Sequence, residues 1–154
     1  MAEKKPNRVG VFICHCGTNI AGVIPVEKVV EYAKTLPNVV HAENYTYMCS
    51  TPGQEKIRNA IKEQNLEAVV VAACSPRLHE PTFRKAAAAG GLNSFVFEMA
   101  NIREQSSWIH MKEPEKATAK AKDIIRMSVA RASLLEPLET KSLPVEKAIM
   151  VIGA

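Results

Sequence analysis

The residues of this sequence best suited to chemistry are its four cysteines, Cys14, Cys16, Cys49 and Cys74. Thiolates bind soft metal ions, hold iron–sulfur clusters and exchange with disulfides, so four of them in one chain predict a metal site or a redox site. Two are separated by a single residue, a spacing that suits either a ligand pair or a reactive dithiol. The simpler alternative is that they are buried small hydrophobic residues, as free cysteines often are.

The composition indicates where these thiols work. A chain of 154 residues with 47% hydrophobic and 23% charged residues is typical of one soluble globular domain. The net charge of +4 forms no basic stripe interleaved with aromatic residues, so nucleic acid is not expected as a partner. No apolar run is long enough to span a membrane and the start has no signal-peptide core, which predicts a cytoplasmic protein. Because thiols stay reduced there, the cysteines are predicted to be ligands or redox groups rather than disulfides.

Hydrophobic patterning predicts the elements that must position the cysteines. Apolar runs of strand length occur at 8–14, 39–47, 67–73 and 94–99, and helical patterns occur at 25–36, 54–64, 81–89, 102–110 and 114–135. This alternation predicts an α/β fold, an open and mostly parallel sheet with helices on both faces, Rossmann- or flavodoxin-like. The predicted domain covers 1–135, a proline-containing linker covers 136–146, and a fresh strand covers 147–154.

Each cysteine follows the end of a predicted strand. Cys14 and Cys16 follow the first strand, Cys49 the second and Cys74 the third. Parallel strands end at the same edge of a sheet, which is the edge where open α/β folds bind ligands. Adjacent strands are about 4.8 Å apart, so the four thiols are expected to reach one compact cofactor.

Several cofactors and activities remain open on the spacing alone. Zinc accepts four cysteines but usually pairs two C-x-x-C motifs, whereas iron–sulfur clusters tolerate irregular spacing. A thiol–disulfide exchange site using Cys14 and Cys16 would more often be C-x-x-C at the start of a helix. Predicted helix N-termini near Pro52 and Pro76 suit an anionic cluster, and they suit a phosphate equally well.

Other residues fall on or near the same edge. Asn101, Arg103, Glu104 and Gln105 follow the fourth strand and are expected to contact another domain, a partner, or one another. The single tryptophan, Trp108, is expected in the core or at a domain interface.

Four motifs link these positions to a known family. They are FICHCG at 12–17, YMCSTPGQ at 47–54, VVAACSPRLHEPTF at 70–83 and EMANIREQ at 98–105. Together they resemble the N-terminal domain of the A subunit of heterodisulfide reductase, an iron–sulfur and flavin protein. The resemblance implies one [4Fe–4S] cluster held by Cys14, Cys16, Cys49 and Cys74, with no catalytic residue in this domain. A ligand other than cysteine at one iron, such as His15, stays open.

The resemblance also implies partners. In that family this domain precedes a flavin domain that binds FAD. The protein works with other heterodisulfide reductase subunits and takes electrons from a hydrogenase or a formate dehydrogenase. The flavin divides them between ferredoxin and the heterodisulfide of coenzymes M and B, a reaction of methanogenesis. The stretch Met150-Val-Ile-Gly-Ala154 resembles the start of a dinucleotide-binding fingerprint, with Gly153 as its first glycine. We therefore expect 147–154 to be the first strand of a truncated FAD-binding domain.

Overall fold

A four-stranded parallel sheet forms the centre of the molecule. A computed structural model describes residues 8–150, 152 and 153 of the chain. Its strands are β1 Val9–Cys14, β2 Val39–Tyr45, β3 Ala68–Ala73 and β4 Phe97–Asn101, in the order β2-β1-β3-β4. Every neighbouring pair is parallel. This is the flavodoxin-like order, whose topological switch point lies between β1 and β3, so the predicted fold is confirmed.

Helices cover both faces of the sheet, as predicted. They are α1 Thr18–Ala21, α2 Val26–Lys34, α3 Thr51–Glu63, α4 Pro76–Gly90 and α5 Pro114–Ala132, with a π-helical turn at Arg103–Ser107. α2 and α5 pack on one face of the sheet, and α3 and α4 pack on the other. β1 and β3 are buried throughout, because their side chains alternate between the two apolar layers.

Several boundaries differ from the sequence prediction, and hydrogen bonds explain two of them. α4 begins at Pro76 rather than at Pro81, because Ser75 caps it by accepting a hydrogen bond from the Arg77 N–H at 3.3 Å. β4 begins three residues later than predicted. The side chain of Asn93 accepts the N–H of Phe95 at 2.9 Å, and this local turn delays the start of strand pairing.

The segment after α5 has no regular secondary structure from residue 135 onwards in its described part. The strand expected at 147–154 is therefore not formed by residues 147–150, 152 and 153, which are exposed; Val151 and Ala154 lie outside the described residues. A strand needs a neighbour to pair with, and no other strand lies beside this segment in the described chain. The domain boundaries remain predictions.

The beginning of the predicted linker lies against the domain. The Asn93 side-chain amide donates a hydrogen bond to the Leu138 carbonyl at 2.9 Å. Among the described helices, none combines the length and the apolar character needed to cross a bilayer.

Candidate functional site

The four cysteines lie at the carboxyl edge of the sheet, and all four are free thiols. Cys14 is the last residue of β1 and Cys74 directly follows β3, so these two buried residues flank the topological switch point. Cys16 lies two residues beyond β1. Contrary to the prediction, Cys49 does not directly follow β2, because it ends a turn at 46–49 that leads into α3.

The loop after β1 and the turn after β2 meet at one sulfur. The Sγ of Cys14 accepts the N–H of Cys16 at 3.3 Å and the N–H of Met48 at 3.4 Å. Cys16 has a φ of +50°, a left-handed conformation that is uncommon for residues other than glycine. Such strained positions cluster at functional sites, where the surrounding contacts hold them. Here the backbone turns sharply enough to bring Cys16 back beside Cys14.

Two helix N-termini point towards the same edge. Cys49 precedes Ser50, which caps α3, and Cys74 precedes Ser75, which caps α4. The N-terminus of a helix carries a partial positive charge, which favours nearby negative groups. Both cysteines therefore lie directly before the partially positive end of a helix.

Burial is the main influence on the pKa values of the two buried thiols, Cys14 and Cys74. Burial raises the pKa of Cys14, against hydrogen bonds from the Met48 and Cys16 N–H groups, and raises the pKa of Cys74 to about 11, against the positive charge of Arg103. Negative charge on Cys16 would raise both pKa values further, so the sulfurs are close enough to interact. Within the described part of the chain, no three His, Cys, Asp or Glu side chains are grouped to hold a single metal ion.

The other residues singled out from the sequence have different surroundings. The Nε2 of His15 lies 2.8 Å from the Oδ1 of Asn44, so a hydrogen bond already holds this ring. Gly153 is exposed in the segment after α5, and no other described residue comes near the position that a Cβ would take there. Trp108 is 44% exposed rather than buried in the core.

Arg103 contacts a cysteine directly, which the sequence motifs did not indicate. Its Nη1 donates a hydrogen bond to the Sγ of Cys16 at 3.1 Å. The available signal was its position just after β4, on the edge shared by the cysteines. The expectation that these polar residues contact one another holds for Glu104, which pairs with Arg103 at 2.7 Å.

In the metal-free chain, alkylation of Cys74 is expected to accelerate up to about pH 11. Only the thiolate reacts, and a pKa of about 11 instead of 9.0 leaves roughly a hundredfold less thiolate at pH 8. Since the pKa is raised on folding, the metal-free fold also loses stability as the pH rises from 9 towards 11. Pulse labelling with iodoacetamide, read by peptide mass spectrometry, measures the rate at each pH.

The control for this experiment is the same chain unfolded in urea, in which labelling of Cys74 should level off near pH 9. Identical pH profiles for the folded and unfolded chains would show that burial does not suppress the Cys74 thiolate.

Sequence comparison identifies relatives over nearly the whole chain. The second iron–sulfur A subunit of CoB–CoM heterodisulfide reductase from Methanopyrus kandleri is 60% identical over 153 residues, which are 99% of this chain and 23% of that protein. The A subunit of the H2:CoB–CoM heterodisulfide,ferredoxin reductase from Methanothermobacter thermautotrophicus is 57% identical, with 99% of this chain and 24% of that protein covered. A protein from Archaeoglobus profundus, named for its likeness to the heterodisulfide reductase A subunit, is also 57% identical, with 99% and 22% covered.

No protein-family model matches the chain. The chain spans about a quarter of the length of the curated relatives it matches. Because the match covers 99% of the chain, and so all three cysteine-bearing segments, at such high identity, the chain belongs to the family of heterodisulfide reductase A subunits.

Proposed function

We propose that this chain binds one [4Fe–4S] cluster through Cys14, Cys16, Cys49 and Cys74 and uses it to transfer electrons. The observation that carries the proposal is the position of four free thiols, from three separate loops, at the carboxyl edge of one sheet on both sides of its switch point between β1 and β3. Four cysteine thiolates are the usual ligand set of such a cluster, which takes one thiolate for each iron. A cluster therefore does not require several ligands to converge on a single metal ion, which is the arrangement that the described residues lack.

The charge distribution at this edge suits an anionic cluster. The N-termini of α3 and α4 carry partial positive charge beside Cys49 and Cys74, and Arg103 brings a full positive charge to Cys16. Hydrogen bonds to cluster sulfurs and ligand thiolates help set reduction potentials. The backbone N–H of Met48, which reaches the Cys14 sulfur, is one such donor.

Cluster binding should also release protons. Burial raises the pKa values of Cys14 and Cys74, so both thiols are neutral at pH 7 in the metal-free chain. Metal ligation requires the thiolate, so each must lose a proton when the cluster binds. The raised pKa of Cys14 also argues against a disulfide-exchange role for the Cys14–Cys16 pair, since reactive thiols usually have lowered pKa values.

The electron partners proposed for the whole protein follow from its relatives. We propose that the cluster exchanges electrons with an FAD-binding domain of the same protein, in which residues 147–154 would form the first strand and Gly153 would be the first fingerprint glycine. The relatives' names include an iron–sulfur subunit, H2, ferredoxin and the CoB–CoM heterodisulfide. They support the proposal of a complex in which electrons from a hydrogenase reduce both ferredoxin and the disulfide. A formate dehydrogenase as the donor is implied by the family resemblance alone.

The chain purified without oxygen is expected to contain about four iron and four acid-labile sulfide atoms. Reduction with dithionite should then give an electron paramagnetic resonance signal from a reduced cluster. Chemical assay of iron and sulfide, together with that spectrum, tests the proposal. One zinc per chain would instead identify a structural zinc module. A metal-free chain with a titratable dithiol would identify a disulfide-exchange domain, and either result would contradict the cluster.

A further inference from the structure

The guanidinium group of Arg103 is held on three sides. Its Nη1 donates to the Cys16 Sγ at 3.1 Å, while its Nε and Nη2 donate to one carboxylate oxygen of Glu104 at 3.1 and 2.7 Å. Its flat face lies over the ring of Trp108, with the guanidinium carbon 4.6 Å from the ring centre. An arginine fixed by a carboxylate, an aromatic ring and a thiol keeps one orientation, because each contact uses a different part of the planar group.

Hydrogen bonds join the turn that carries Arg103 to the loop of Cys16 and to the loop of Cys74. The Ile102 N–H donates to the Ala73 carbonyl at 2.9 Å, next to Cys74. The Ser107 hydroxyl donates to the Asn19 carbonyl at 2.7 Å, in the helix that follows Cys16. The π-helical turn therefore cannot move without moving the segments that present Cys16 and Cys74.

The two carboxylate oxygens of Glu104, the partner of Arg103, differ in their hydrogen bonding. One carboxylate oxygen of Glu104 takes both hydrogen bonds from Arg103, whereas the other, Oε2, is buried without a hydrogen-bond partner among the described residues. Arg103 contacts the Cys16 sulfur at 3.1 Å, and Glu104 contacts Arg103 at 2.7 Å. Both charges are thus close enough to influence any redox group bound at these cysteines.

We propose that Arg103 is a positioning residue that orients Cys16 and, with Glu104, sets the reduction potential of the cluster. This inference rests on the proposed [4Fe–4S] function. Reduction adds one negative charge to a cluster, and a fixed cation bonded to a ligand sulfur stabilises the reduced form more than the oxidised form. The arginine therefore raises the potential, and the neighbouring carboxylate lowers it.

Two substitutions with opposite expected effects test this role. In Arg103→Gln, the ratio of reduced to oxidised cluster at a fixed potential should fall about tenfold, which is about 59 mV for one electron. In Glu104→Gln, the same ratio should rise, because the arginine is no longer offset by a carboxylate. Redox titration followed by electron paramagnetic resonance measures both midpoints. A purely structural role would not shift the two midpoints in opposite directions.

Arg84 offers a matched control on the same domain. It pairs with Glu80 at 2.6 Å and lies over the rings of Phe95 and Phe97, but its contacts within the described residues include no cysteine. The Arg84→Gln variant should therefore keep the wild-type midpoint, and a shift equal to that of Arg103→Gln would overturn the inference.

Iron and sulfide content separates the two proposals. A wild-type chain without a cluster would refute the proposed function itself. If the wild-type chain has a cluster and Arg103→Gln keeps both the cluster and the wild-type midpoint, only the role of Arg103 is refuted. If Arg103→Gln cannot retain a cluster, the midpoint potential of the Glu104→Gln variant tests the inference instead. An unchanged or lower midpoint in that variant would overturn the inference.

Discussion

Replacing Cys74 with serine is expected to remove the cluster while leaving the sheet folded. Removing a group that only hydrogen-bonds to a metal ligand typically lowers the affinity for the metal 10- to 100-fold. Removing a ligand itself should cost more, so we expect cluster occupancy to fall by more than about tenfold. Cys74 is buried, so an unpaired serine hydroxyl there should lower the free energy of unfolding by about 1–3 kcal/mol. A folded domain tolerates a loss of this size. Iron and sulfide assays after gel filtration measure occupancy, and circular dichroism measures the fold.

Cys49→Ser should give the same loss of cluster with a smaller loss of stability, because Cys49 is only partly buried in a turn. Ala100→Ser is the matched control, since it also places a serine at a buried position, on the neighbouring strand β4. It should retain a full cluster. If Cys74→Ser kept about four irons, or if Ala100→Ser lost them as well, the ligand assignment of Cys74 would be wrong.

The sheet and its edge were predictable because the inner strands are buried on both faces. Such strands read as continuous apolar runs, and the ends predicted for β1 and β3 agree with the structure at Cys14 and Ala73. Once those ends are placed, parallel topology brings Cys14 and Cys74 to the same edge. The placement of these two cysteines beside the switch point therefore followed from periodicity and strand order.

The detailed geometry of the site was not predictable, because it depends on backbone conformations with no simple sequence signature. The π-helical turn is closed by hydrogen bonds between residues five apart, from Ser107 to Ile102 and from Trp108 to Arg103. In this turn the Arg103 side chain lies over Trp108 and against Cys16. The left-handed conformation of Cys16 has no simple sequence signature either.

The start of α4 shows how a local signal can mislead. A proline commonly marks the first turn of a helix, and on that basis Pro81 predicts a start five residues too late. The structure places Pro81 inside the helix, where it cannot donate a hydrogen bond to the Arg77 carbonyl. The true start is Ser75-Pro76, which puts the helix N-terminus directly after Cys74. This start agrees with the helix N-terminus expected near Pro76 beside the cysteine, and not with a start at Pro81.

Gly53→Ala is expected to destabilise the domain and reduce cluster occupancy, although alanine is the better helix former. Gly53 lies in the first turn of α3, and a Cβ there would meet the backbone of Met48 at 2.5 Å and the Tyr47 carbonyl at 2.6 Å. Backbone atoms cannot rotate aside, so the turn at 46–49 must shift, and with it both Cys49 and the Met48 N–H that bonds Cys14. Overpacking of this kind typically costs about 1–3 kcal/mol.

The sign of the change in unfolding free energy tests whether α3 closely approaches the turn at 46–49. Helix propensity alone predicts that replacing glycine with alanine stabilises the fold by about 1 kcal/mol. Asn59→Ala is the matched control, because it places the same alanine on the exposed face of α3 and should be neutral or slightly stabilising. Urea unfolding of the metal-free chain measures the free energy, and iron assay measures occupancy. A Gly53→Ala variant as stable as Asn59→Ala, with a full cluster, would mean that Cys49 is not held by this contact.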